Sequence, residues 1–144
     1  MSTPETLLVA RRPSLATRFA ARLAVTVALV MARWLSPRRI RRTLAALSYG
    51  AAPATYRQAF DARSAIVATS LVCAGKGCLP RSIAATLLCR MRGQWPTWAV
   101  GARTAPFLAH AWIEAEGRIV DEGEHISTYR RLITVEPRGA HVAS

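Results

Sequence analysis

From Ser14 to Gly93 the apolar residues recur at three- and four-residue spacing, which predicts helices. Ser14 is placed to cap the first, and Leu15 to Leu35, rich in Ala, Leu and Arg, continues it. Ser36-Pro37 marks a new start, with serine at the N-cap and proline at the first helical position. This second helix runs to about Ser48, with Leu44 and Leu47 inward and Arg38, Arg39, Arg41 and Arg42 mostly outward; Gly50 stops it. Pro53 restarts the pattern, and Tyr56, Phe60, Ile66, Val67 and Leu71 predict a third helix to about Cys73. Gly75-Lys76-Gly77 is a flexible break. Pro80 then opens a fourth helix, with Ile83, Leu87 and Leu88 apolar, that ends at Gly93.

Beyond Gly93 the pattern changes. The segments 95–100, 107–114, 118–122 and 131–135 are short, rich in β-branched or aromatic residues, and separated by turn residues. Glu116-Gly117 reads as a two-residue hairpin turn. Helices followed by an antiparallel sheet make an α+β chain: a helical N-terminal half packed on a small antiparallel sheet. Neither a βαβ alternation nor a glycine-rich phosphate loop is present, and there is no internal repeat.

The 144 residues fit one domain with a real core, and a hydrophobic content of 51% argues against global disorder. Within it we expect a flexible lead over 1–12, a helical subregion over 14–73, the helix and strands of 78–135, and a tail over 136–144. The net charge of +12 is extreme, and every basic residue except Lys76 is arginine. Such a charge favours anionic partners, although a GC-rich genome would also inflate arginine. The three cysteines, Cys73, Cys78 and Cys89, cannot all pair, which points to a reducing, cytoplasmic compartment. Their C-x4-C-x10-C spacing is a poor zinc pattern, and no metal or other cofactor is expected. No signal peptide is evident at the N-terminus. The longest apolar run, Leu23 to Ala32, is too short to span a bilayer.

Cys78 stands where a helix begins, with Arg81 beside it. The unpaired N–H groups and dipole of a helix start favour a thiolate, so of the three cysteines Cys78 is the candidate nucleophile. Cys89, among Leu87, Leu88 and Met91, and Cys73, at the end of an apolar run, read as small buried hydrophobes. His110, flanked by Ala109 and Ala111, is the candidate base. If Glu116-Gly117 forms the turn, Trp112 faces Asp121, and His110 becomes the diagonal neighbour of Asp121 on one face of the sheet. Asp121 is then the candidate orienting acid. Glu114 shares that face and is the alternative acid to Asp121, but it lies near the turn, where solvent exposure is the simpler expectation. Among competing bases, His125 sits in a polar loop-like stretch and His141 in the tail. A helix-start cysteine followed by a strand histidine and a strand aspartate is the order of transglutaminase-like and papain-like thiol enzymes.

The stretch from Cys78 to Tyr129 resembles the leader peptidases of lasso-peptide biosynthesis, members of the transglutaminase-like superfamily. The matching pieces are CLPRS at 78–82, LL at 87–88, RG at 92–93, VGART at 100–104, PF at 106–107, AHAWIE at 109–114 and Asp121. Ile83-Ala84-Ala85 and Ile113 depart mildly from the family pattern. The resemblance implies a cysteine peptidase that cuts the leader from a ribosomally made precursor, with Cys78 as nucleophile, His110 as base and Asp121 as acid. It further implies a separate ATP-dependent cyclase that closes the ring. With no room before Cys78 for a winged-helix-like leader-recognition domain, the chain resembles the split form, which works with a separate recognition protein.

Arg33, Arg38, Arg39, Arg41 and Arg42 form a basic patch around Ser36-Pro37. A solvated helix face accounts for it most simply; docking to the recognition protein, the cyclase or anionic lipid is the functional alternative. The apolar run beside it has the composition of a helix lying on a membrane surface, although a packed core helix explains it more simply. Nucleic acid is not expected as a partner, because aromatic residues near the patch are too few for base stacking. Two other classes of function compete with the peptidase. One is a non-catalytic arginine-rich module binding nucleic acid or membrane. The other is a transglutaminase-like acyltransferase that passes the acyl group to an amine.

Overall fold

Side-chain caps set the helical half. In the computed structural model, which describes residues 14–75, 77–120 and 128–138, the Ser14 hydroxyl accepts from the Thr17 N–H and opens α1 (Leu15–Trp34). Ser36 accepts from the Arg39 N–H and opens α2 (Pro37–Ser48), with proline at the first turn as expected. Thr55 and Gln58 satisfy each other's backbone N–H groups in a capping box that opens α3 (Tyr56–Thr69). The predicted third helix is in fact two. Ser70 takes an extended backbone and caps a single-turn α4 (Leu71–Ala74). The next helix, α5 (Cys78–Met91), begins two residues ahead of Pro80, and Gly93 at φ +82° follows its C-terminus.

The inward faces of the helices are built from small residues. Ala21, Ala24 and Ala28 of α1 and Ala59, Ala62 and Ala65 of α3 are buried, and both helices pack on α5. Small side chains let helix axes approach closely, and Val25, Met31 and Ile66 fill the remaining inward positions. Leu47, predicted inward, is exposed, and Ile40 joins Leu44 in the core. Leu71, one of the residues that predicted the third helix, is 93% exposed. By contrast α5 is buried on every side from Arg81 to Cys89.

The sheet has the order β5-β4-β3-β6 and is antiparallel throughout. Its strands are β3 (Thr97–Thr104), β4 (Phe107–Ala115), β5 (Arg118–Ile119) and β6 (Arg130–Val135). An additional parallel pair, β1 (Ala52–Pro53) with β2 (Gln94–Trp95), ties the α2–α3 connection to the end of α5. Alternation divides the sheet. Trp98, Ile113, Ala115 and Val135 join the helical core, while Ala99 and Trp112 form a second cluster with Ile119 and Tyr129. The predicted hairpin has the expected turn: Glu116 at φ 55° and Gly117 at φ 72°. Its register, Glu114 opposite Ile119 and Ala115 opposite Arg118, is the one that turn dictates. The segments 1–12 and 139–144, read from sequence as a lead and the end of a tail, lie outside the described residues. Arg138 donates to the Tyr49 hydroxyl at 3.0 Å and so returns the chain to the end of α2.

Candidate active site

The CLPRS segment places its cysteine through its neighbours. Cys78 is the first residue of α5, and helical bonding starts with the Arg81 N–H to the Gly77 carbonyl. The N–H groups of Cys78 and Leu79 therefore have no partner within the helix, and Pro80 contributes no donor. Arg81 is buried and donates through one guanidinium nitrogen to the carbonyls of Cys73 and Gly75, both at 3.1 Å. This fixes the end of α4 against the start of α5. Ser82 donates to the Leu79 carbonyl at 2.9 Å and accepts from the Trp98 indole N–H at 3.0 Å. The first turn of α5 is thus pinned to β3.

Against this turn stands β4. The His110 side chain hydrogen-bonds the Cys78 thiol, and the Ala111 backbone N–H does so as well. Cys78 is half-buried, and its pKa lies below the ordinary 9.0. The His110 hydrogen bond is the main cause; partial burial opposes it, and the Ala111 N–H and the charges of His110 and Arg81 add to it. Arg81 is the weakest of these, because its guanidinium is directed to the α4 carbonyls. The structure sets His110 beside Cys78. Asp121, the expected acid, lies outside the described residues, as do the competing bases His125 and His141. The described part of the hairpin ends with the Val120 N–H donating to the Ile113 carbonyl at 3.0 Å.

Glu114 departs from expectation. It is buried, and its two oxygens accept from the Trp112 indole at 2.8 Å and from Arg131 at 2.6 Å. Arg131 of β6 reaches across the intervening β3 to hold it. Glu114 thus holds Trp112, whose ring lies 6.1 Å from His110 at an interplanar angle of 18°. Tyr129 approaches His110 from the side at 5.9 Å. Gly101, paired with His110 across the strands, makes room for this stack. A Cβ there would sit 2.7 Å from both the Trp112 ring and the Arg130 carbonyl.

Sequence reading gave Trp112, Tyr129, Gly101 and Ser82 no role. Alternation alone could have found Trp112, since residues 110, 112 and 114 share a face. A separate open groove of about 670 Å³ lies at the far end of β3 and the start of β6. It is lined by Arg103, Phe107, Arg130 and Leu132 among others, and the Arg103 guanidinium lies 5.6 Å over the Tyr129 ring.

A helix-start thiol paired with a strand imidazole has the chemistry of nucleophilic acyl transfer. A family model for the transglutaminase-like superfamily matches residues 22–134, from within α1 to within β6. The chain belongs to that superfamily. Searches of curated proteins and of solved structures gave no match. The mixed helix-and-sheet fold is that of a transglutaminase-like domain, and such domains fit a cysteine peptidase or an acyltransferase.

Proposed function

We propose that this transglutaminase-like protein is a cysteine peptidase that removes the leader from a lasso-peptide precursor, aided by a separate leader-recognition protein and followed by a cyclase. The observation that carries the catalytic part is the hydrogen bond from His110 to a thiol of lowered pKa at the first turn of α5. The CLPRS and AHAWIE motifs support the narrower substrate assignment.

In this reading His110 holds the proton of Cys78, and the thiolate attacks the last leader carbonyl. The oxyanion forms where α5 offers the Cys78 N–H, with the helix dipole behind it. His110 then protonates the departing amine, which leaves as the new N-terminus of the core peptide. Water attacks the thioester and releases the leader acid. Asp121 orients His110. The Trp112 and Tyr129 rings hold the imidazole in place.

The test is mass spectrometry of a precursor incubated with the protein and its recognition partner in ¹⁸O-labelled water. Label in the leader carboxylate is expected. An amide of the leader with an added amine would instead mean acyl transfer. An intact precursor with wild-type protein and partner would contradict both.

A further inference from the structure

The outward face of α1 is the reverse of what a core helix shows. Its small residues Ala21, Ala24 and Ala28 are fully buried, whereas Phe19 is 74% and Trp34 75% exposed, with Leu23, Val27 and Val30 exposed between them. These five follow one another at spacings of four, four, three and four residues, so they form one stripe along the helix. The stripe is roughly 22 Å long at 1.5 Å per residue. Arg18, Arg22 and Arg33 are exposed on the adjoining flank. At its C-terminal end stand the exposed Arg38, Arg39, Arg41 and Arg42 of α2. No acidic residue occurs between Glu5 and Asp61.

Helix α1 is also 20 residues long and apolar enough by length and composition to cross a membrane, which the count of its longest uninterrupted run missed. Its alanine face, however, is packed on α5 and α3. A helix half embedded in its own protein is suited to lie along a bilayer, with the apolar stripe among the acyl chains and arginines at the phosphates. The apolar stripe argues against a nucleic-acid backbone, and the seven arginines, which form no ion pair among the described residues, argue against a neutral apolar partner.

We propose that α1 docks this protein in the plane of an anionic phospholipid surface, with Phe19, Leu23, Val27, Val30 and Trp34 immersed and the α1 and α2 arginines at the headgroups. This docking does not depend on the catalytic reading.

Trp34 supplies a built-in probe, because the other three tryptophans, Trp95, Trp98 and Trp112, are buried. The full-length protein is mixed with phosphatidylglycerol or phosphatidylcholine vesicles, and sedimentation is read alongside tryptophan quenching by brominated acyl chains. Binding to phosphatidylglycerol, with quenching that disappears in Trp34→Phe, is expected. Replacing Arg18, Arg22 and Arg33 by Gln should weaken binding roughly a hundredfold, at about fivefold per charge. Phe19→Glu with Leu23→Glu should abolish quenching while circular dichroism stays native. Binding without Trp34 quenching, or binding indifferent to the two Glu substitutions, would overturn the proposal, since charge alone would then hold the protein. Failure to bind phosphatidylglycerol would also overturn it, most tellingly if the protein self-associates and Phe19→Glu abolishes that association, because the stripe would then be a protein interface.

Discussion

Cys78 and Cys89 are the same residue on the same helix, eleven positions (89 − 78) apart. Eleven residues are close to three turns, so both sulfurs lie on nearly one side of α5, about 16 Å apart along its axis. Yet the two are chemical opposites. Cys78, at the first turn and half-buried, has its pKa lowered chiefly by the His110 hydrogen bond. Cys89, fully buried, is pushed up to about 12 by loss of water, and the charge of Arg92 offsets this only in part. Reactivity on this helix is decided by what faces each turn: β4 with its histidine at one end, packed aliphatic residues at the other.

Removing each side of the contrast tests it. Cys78→Ala should reduce leader cleavage by at least about 10³-fold while the protein stays folded, as nucleophile deletions do. Cleavage by a folded Cys78→Ala protein would assign the chemistry to another group. His110→Ala should cost about 10²–10⁴-fold, the usual worth of a general acid–base. It should also raise the pKa of Cys78, because the largest lowering influence is gone.

Gly101→Ala acts one step further away. The added methyl must displace the Trp112 ring or the Arg130 carbonyl, so we expect a loss of roughly 1–3 kcal/mol in denaturant unfolding, as for other overpacked sites. Cleavage should fall as well, through the tilted His110 platform; unchanged stability and cleavage would show that the stack is slack.

Cys89→Ala should have the smallest effect. Cleavage is retained, and stability falls by about 1 kcal/mol. Its signature lies in alkali. A thiol whose folded pKa is raised contributes stability that is complete below the unfolded value near 9 and lost as pH climbs from there towards about 12. Wild-type stability should therefore decline above pH 9 with a contribution of up to about 1.4 kcal/mol per pH unit that Cys89→Ala lacks. For Cys78 the sign is reversed. Its contribution is present above 9.0 and is lost as pH falls through the lowered folded value.

Local signals carried much of the architecture. Ser14, Ser36-Pro37 and Gly93 marked helix ends because caps and left-handed glycines act within a few residues. Glu116-Gly117 fixed the hairpin register by the same local logic. What the sequence hid was tertiary. Large apolar residues do not announce their side: Leu71 and Phe19 are exposed, while alanines take most of the inward faces of α1 and α3, which pack on α5. Glu114 looked exposed because its partner, Arg131, is seventeen residues away in sequence and two strands away in the sheet. Cys78 and His110 were legible as a pair, since a helix start and a strand centre are local features. The Trp112–Tyr129 platform beneath His110 was not, since it needs β6 beside β3.

The central claim is that His110 makes Cys78 the reactive thiol of this chain. Its most direct test is the pH dependence of iodoacetamide labelling of the native protein, with each cysteine followed by peptide mass spectrometry. Cys78 should label first, with an inflection below pH 9 that moves upward in His110→Ala, while Cys89 stays unlabelled until the protein unfolds. An inflection for Cys78 at 9 or above that ignores His110, or labelling of Cys89 ahead of Cys78, would contradict the account.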